Sequence, residues 1–535
     1  MSPLAPSEPA HHPPPDQAQL HRRVAEAAVL SVAIFTVYLL FPIRNHYWDG
    51  VGFALQIEAA ADPGDPALLH PNHLVYTLAG RLAYGAVRTV FPDVRALAVL
   101  QYLNMALAAA TAGLLYGLFR RHAGGPVFAG GLAALFAFSA GWWRFGADAG
   151  AYIPSVLGLV LGLAVLLRSG PPAPVRLGLA HAAAMLFHEL AVGFLPAAVC
   201  GLAAREETPV RRWRAVALYL ATAGGVTGAA YLAAYERQPG GTSLWAWLTY
   251  HSPDSAFSWD LGRNLVLTVQ SNVRLLVNSR PGDVFRHPDP VSLAALAAFA
   301  VALGWVIVTL IRRRAWRLPP PDPAGCLPAA ALLVRVGVGW LIPDLAFRFV
   351  WLPGNPFYRL FYLPALILLL GAWLLRRGAP AAGPGRLPAA AAVLVGLFNL
   401  GFFIVPCAQV RSNPPLELAV RMQRRWSGPT TVGYGDFNPD NWTLRYFNPA
   451  TRWVAVEPGN GLAGFRRLLA DQQREGRTVW LDSSAVRTLD GMGPEAAAFA
   501  AALIREEVVQ DRMGTRLYRL GSPPANGSGV VESVR

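Results

Sequence analysis

Lysine is absent from this sequence: all 46 basic side chains other than histidine are arginine. Acid is scarce too. Asp and Glu number 32, and charged residues fill 15% of the 535 positions, where a soluble globular domain carries about 25%. The three cysteines, Cys200, Cys326 and Cys407, stand in or beside apolar stretches with no metal-ligand spacing. That excludes a disulfide scaffold and predicts neither a disulfide nor a zinc site. Also missing are a Gly-rich phosphate loop, a nucleotide fingerprint and an internal repeat of fixed period. Apolar residues, by contrast, make up 54% of the chain, gathered into blocks of roughly 18–22 residues that match about 30 Å of hydrocarbon. This distribution predicts a polytopic α-helical membrane protein and excludes a disordered chain or a β-barrel. A net charge of +14 would suggest nucleic acid in a soluble protein. Here the arginines fall in short clusters between apolar blocks, as in cytoplasmic loops, so no nucleic-acid partner is expected. Arginine without lysine, beside so much Ala, Gly and Pro, points to genome composition rather than function.

Three regions follow from the pattern. Residues 1–20, rich in Pro and His, are expected to be a disordered cytoplasmic tail, with His11 and His12 solvated rather than metal-bound. Residues 21–406 form a multi-span membrane domain. Its first apolar run, about 24–41, is followed by Arg44-Asn45-His46 instead of a small-residue cleavage site, so it is expected to stay as a span. In all, about eleven transmembrane helices are expected, two of them short (about 176–187 and 190–204) and separated by His188-Glu189. Segment 74–91, with Arg81 and Arg88 inside an amphipathic pattern, predicts an interfacial helix. Residues 407–535 have soluble composition, with strand-like runs at 430–433, 453–456 and 479–481, helical patterns at 461–474 and 495–507, and a strand pair over 508–520 turning at Met513-Gly514. A small α/β domain is expected there.

Placing the N-terminus inside puts every dense arginine cluster (22–23, 120–121, 168–176, 205–214, 312–314 and 376–386) on the cytoplasmic side. Loops 43–73, 142–149, 235–290 and 344–358, and the C-terminal domain, are then extracytoplasmic. The expected location is the cytoplasmic (inner) membrane.

Acids at the outer ends of spans carry information because so few survive there. Asp49 follows Tyr47-Trp48 at the boundary level. A partly desolvated carboxylate there could serve as a base toward a hydroxyl, could hold a divalent cation, or could be a solvated loop acid. Asp148, after Trp142-Trp143-Arg144, is either a second outer-face carboxylate or the partner of Arg144. His70 and His73 could bind a metal, or cap a helix and meet lipid head groups. The pair His188-Glu189 between two apolar halves would be costly to bury without a purpose. Arg348 and Arg359 bracket an aromatic loop, where a guanidinium suits a lipid-linked phosphate or simply anchors at the interface.

The early outer-loop Asp49, the stretch His70-Pro71-Asn72-His73-Leu74-Val75-Tyr76 with Leu78, Gly80 and Leu82, the Trp-Trp loop with Asp148 and Tyr152, the hairpin at His188-Glu189 and the segment from Arg359 to Pro364 together resemble the GT-C superfamily of membrane glycosyltransferases. The likeness is to the branch with protein O-mannosyltransferases, lipid A aminoarabinose transferases and their bacterial relatives of the cell envelope. That branch reads roughly His-Pro-Pro-Gly-Tyr-Pro-Leu-Tyr where this chain has His70 to Tyr76, and it more often has Glu where Asp148 stands. The resemblance covers about residues 24–406. It implies a polyprenyl-phosphate sugar as donor, a glycan, lipid or protein as acceptor, and transfer on the outer face, with membrane lipids as surroundings. It assigns Asp49 the acceptor's proton, Arg359 with His188 the leaving lipid phosphate, and Asp148 the acceptor or a metal. These residues should then line one outward-facing cavity. Two other readings are a lipid or solute transporter or flippase, which would place ionisable groups near the midplane in paired halves, and a non-catalytic scaffold.

Overall fold

The computed structural model describes residues 17–123, 125–238, 240–249, 256–313, 328–377, 383–426, 428–436, 439–508 and 516–521. His11, His12, Cys326 and the Met513-Gly514 turn lie outside these residues. The apolar stretches read from the sequence are helical. In chain order the helices are α1 (Gln17–Leu40), α2 (Trp48–Ala59), α3 (Tyr76–Arg88), α4 (Ala96–Ala123), α5 (Pro126–Ala137), α6 (Ala140–Gly146), α7 (Tyr152–Leu166), α8 (Pro174–Phe187), α9 (Leu195–Arg205) and α10 (Pro209–Tyr235). Three helices, α11 (Leu244–Thr249), α12 (Leu261–Leu276) and α13 (Pro281–Arg286), lie in the long segment between α10 and the next apolar helix. Then come α14 (Pro290–Arg313), α15 (Pro328–Val350), α16 (Leu363–Arg376) and α17 (Leu387–Asn399). Proline stands in the first turn of α5, α8, α9, α10, α16 and α17, where its missing N–H and fixed φ cost nothing.

Six helices among the described residues are long and apolar enough to cross a membrane, and the bent pair α5–α6 makes a seventh; α7, α8 and α16 are shorter. The chain is an integral membrane protein. Contacts join several of the arginine-rich segments: Arg120 meets Glu26 at 3.0 Å, Arg121 donates to Ser169 Oγ at 2.6 Å, and Arg205 donates to the Leu166 carbonyl at 2.6 Å.

Three segments expected as loops contain helix. Segment 43–73 holds α2, segment 235–290 holds α11 to α13, and α15 continues past Pro343 to Val350, so Arg348 lies in its last turn. The bend of 68° between α5 and α6 frees carbonyls that lipid could not satisfy. Side chains satisfy them: Ser139 Oγ donates to the Phe136 carbonyl (2.8 Å), the Tyr38 hydroxyl to Ala137 (2.6 Å) and Asn399 Nδ2 to Phe138 (2.9 Å). Asn399 is placed for this just before a π-turn, Leu400–Ile404.

The C-terminal part contains a five-stranded sheet of order β2-β1-β3-β5-β4. Its strands are β1 (Thr430–Tyr434), β2 (Arg452–Ala455), β3 (Thr478–Asp482), β4 (Ile504–Val508) and β5 (Leu517–Leu520). The first three pair in parallel through crossover helices Pro439–Phe447 and Gly461–Arg474; β5 is antiparallel to β3 and β4. The helical pattern expected over 495–507 splits into helix Pro494–Leu503 and strand β4.

This domain is anchored to α2. The Trp442 ring lies so near Gly52 that a Cβ there would come within 3.0 Å. Beside it the Tyr446 hydroxyl donates to Glu58 Oε1 (3.0 Å) and accepts from the Leu97 N–H (2.9 Å), and Arg95 pairs with Glu58 at 2.8 Å.

Candidate active site

Asp49 sits in the first turn of α2, where the helix N-terminus favours negative charge. Burial nevertheless pushes its carboxyl up to about 7, against the lowering effect of hydrogen bonds from Tyr152 and Trp48. The Tyr152 hydroxyl donates to Asp49 Oδ2 at 3.3 Å.

Tyr152 connects Asp49 to the imidazoles. Its ring centroid lies 5.1 Å from that of His188 and 6.4 Å from that of His73; the two histidines are 4.5 Å apart, edge to face. His188 is buried, and its Nδ1 accepts the Leu190 N–H at 3.2 Å, which assigns the ring proton to Nε2. That Nε2 has no hydrogen-bond partner among the described residues. Burial and then the positive charges of His73, Arg348 and His70 hold His188 far below its usual range, so it is a neutral donor. His70 is the N-cap of the turn Pro71–His73, accepting from the Asn72 N–H at 3.2 Å, and its ring stacks on His73 at 5.5 Å.

Arg348 reaches the same cluster from the end of α15. Its guanidinium lies 5.5 Å from the Phe361 ring centroid and 5.9 Å from that of Tyr358, while Phe361 also touches His188 at 4.9 Å. Nε bonds Asp344 Oδ1 at 3.0 Å; Nη1, buried, has no hydrogen-bond partner among the described residues. Glu189 opens the turn after His188, and burial pushes its carboxyl up to about 7. Asp49, Tyr152, His73, His188, Glu189, Arg348 and Tyr358 thus form one neighbourhood, Tyr358 sensing the charges of Asp49, Arg348 and Glu189.

The other two candidates lie behind this neighbourhood. Asp148 is fully buried and saturated: it accepts from the Arg144 guanidinium and the Tyr47 N–H (both 2.8 Å) and the Ala149 N–H (2.9 Å), and meets His46 Nδ1 at 3.0 Å. Burial pushes its carboxyl up, but the His46 bond and the Arg144 charge outweigh that and hold it below the usual carboxylate range. Its bonds to Tyr47 and His46 fix the backbone that aims Asp49. Arg359 is also fully buried, with Nη1 on the Tyr362 hydroxyl and Nη2 on the Pro353 carbonyl, both 2.6 Å. It ties the turn Tyr358–Phe361 to the preceding loop. Among the described residues no group of three or more His, Cys, Asp or Glu is arranged to hold a metal ion. The sequence reading passed over His46, although a histidine two residues before Tyr47-Trp48-Asp49 was there to be weighed. It also passed over Asp344, which the four-residue spacing to Arg348 would have paired with it.

No family profile and no curated protein matches the sequence. Solved structures do. The crystal structure of ArnT from Cupriavidus metallidurans bound to undecaprenyl phosphate aligns over 94% of this chain and 98% of its own, at TM-score 0.52 and 14% identity. The apo form aligns over the same shares at TM-score 0.53 and 14% identity. The chain has the GT-C fold. The Archaeoglobus fulgidus oligosaccharyltransferase aligns over 94% of this chain and 75% of its own, at TM-score 0.42 and 10% identity. ArnT, an aminoarabinose transferase, and the oligosaccharyltransferase are both GT-C membrane glycosyltransferases. In this chain the GT-C fold places α2, the turn after α8 and the C-terminal end of α15 around Asp49.

Proposed function

We propose that the chain is a glycosyltransferase that moves a sugar from a polyprenyl-phosphate donor to an acceptor hydroxyl at the outer face of the membrane. One observation carries the reading: a burial-raised carboxyl, Asp49, shares a neighbourhood with two buried donors, His188 Nε2 and Arg348 Nη1, that have no hydrogen-bond partner among the described residues. A carboxyl at about 7 is poised to take a proton near neutral pH. Buried donors without a partner are costly in a folded protein, and a phosphate would satisfy both.

In this reaction the acceptor oxygen bonds the anomeric carbon as the bond from that carbon to the phosphate oxygen breaks. The acceptor proton goes to Asp49, and the leaving polyprenyl phosphate keeps the electron pair. Arg348 and His188 stabilise the charge that grows on it. Arg348 takes this role in place of Arg359, whose fork is occupied by Tyr362 and Pro353. Asp148 acts as a strut. The arginine clusters between the apolar blocks support a cytoplasmic N-terminus in the inner membrane, with Asp49 and the C-terminal domain outside. A lipid-borne donor suits a chain whose sequence carries no nucleotide fingerprint.

The test incubates purified full-length protein with a membrane lipid extract containing polyprenyl-phosphate sugars. The expected result, read by mass spectrometry, is loss of one lipid-linked sugar and a matching rise in free polyprenyl phosphate. An unchanged lipid profile in the presence of the native acceptor fraction overturns the proposal.

A further inference from the structure

A second cleft lies on the other side of Tyr47 and Phe357, whose rings stand 4.9 Å apart. It consists of two adjoining cavities of about 430 and 350 Å³ that share Asn45, Tyr47, Arg144 and Arg280. Arg411 and Asp283 line the first and Arg274 the second. The lining thus brings in four arginines and one carboxylate, Asp283, from α6, from the segment around α12 and α13, and from the start of the C-terminal region. The internal partners are mostly weak for a guanidinium. Arg280 is 3.5 Å from Asp283 and 3.3 Å from the Ser412 carbonyl, Arg411 donates to the His287 carbonyl at 3.0 Å, and Arg274 is exposed. Arg144 alone is firmly held, by Asp148 and the Asn45 carbonyl.

A concave surface with that balance of charge and low-dielectric walls focuses a positive potential. Forked guanidinium groups from several elements match phosphate or carboxylate oxygens. The cleft also reaches the catalytic neighbourhood: Trp48, half exposed, lines the first cavity and directly precedes Asp49, while Phe357 lines the second and lies 5.6 Å from Tyr152.

We infer that this cleft is the acceptor subsite and that the acceptor is an anionic glycan, its phosphate or carboxylate held by Arg280, Arg411 and Arg274 while its hydroxyl reaches Asp49 around the edge of Trp48. The acceptor assignment rests on the glycosyltransferase reading; the anion site does not. The test titrates glycerol 3-phosphate into the full chain in a neutral detergent. Binding is expected in the wild type, about tenfold weaker in Arg411→Gln and in Arg274→Gln, the latter a surface change that leaves the packing in place. Arg348→Lys and Asp49→Asn should bind the probe like the wild type, whatever they do to sugar transfer, so the anion site and the transfer reaction fail separately. No binding, wild-type binding in both glutamine variants, or loss of binding in Arg348→Lys overturns the inference. Nanodiscs of phosphatidylglycerol and of phosphatidylcholine separate a glycan anion from a lipid one. The glycan assignment predicts no difference between them, and a phosphatidylglycerol preference removed by Arg411→Gln assigns the cleft to membrane lipid instead.

Discussion

Replacing Tyr152 with Phe removes the hydrogen bond from its hydroxyl to Asp49 while leaving the aromatic ring that packs on His188. The consequence for pH dependence follows from the carboxyl itself. With burial holding Asp49 at about 7, the base is half ionised at that pH. Its active fraction falls to about one-tenth at pH 6 and about one-hundredth at pH 5. Transfer should therefore rise roughly tenfold per pH unit up to the midpoint and level off above it. The Tyr152 bond favours the ionised form. A hydrogen bond to a charged group contributes about 1.5–3 kcal/mol, and a length of 3.3 Å places this one at the low end. Since one pKa unit corresponds to about 1.36 kcal/mol, Tyr152→Phe should move the midpoint about one unit to higher pH. His188 is held far below its usual range and does not titrate in this window. The assay is the initial rate of polyprenyl-phosphate release from pH 5 to 9 under saturating donor. A flat profile below pH 7, or a midpoint that moves to lower pH in the variant, refutes the reasoning.

Further predictions separate the parts of the site. Arg348→Lys keeps a charge beside Asp344 but loses the fork, so the donor KM should rise about tenfold in a steady-state assay. Asp148→Asn breaks a fully buried ion pair and should destabilise the fold by about 3–5 kcal/mol, read as a lower Tm in detergent; an unchanged Tm with lost transfer would instead give Asp148 a chemical role. Trp442→Ala empties the contact against Gly52 and should loosen the C-terminal domain from α2, read as faster proteolytic release of that domain together with reduced transfer.

Features set by local composition were legible in the sequence. Apolar blocks act over a single span, so the membrane helices could be read directly. The crossover helix Gly461–Arg474 and strands β1 to β3 were also carried by local periodicity. What was hidden depends on distant partners. Helix α2 contains Gly50 and Gly52, poor helix formers, and looked like loop. Its stability comes from close approach: a Cβ at Gly50 would lie 2.5 Å from the Ala149 carbonyl oxygen. The pairing of Arg144 with Asp148 was readable from its spacing, whereas the closure by His46, 102 residues away, was not. The same limit separates the two candidate arginines. No sequence pattern says that Arg359 spends its fork on Tyr362 and Pro353 while Arg348 keeps an open Nη1.

The most direct test is complementation of a deletion strain with the wild type and with Asp49→Asn, both confirmed in the membrane at equal level, followed by mass spectrometry of envelope glycans and lipids. The account predicts one sugar modification that is missing in the deletion, restored by the wild type and absent with Asp49→Asn. Full restoration by Asp49→Asn would contradict it.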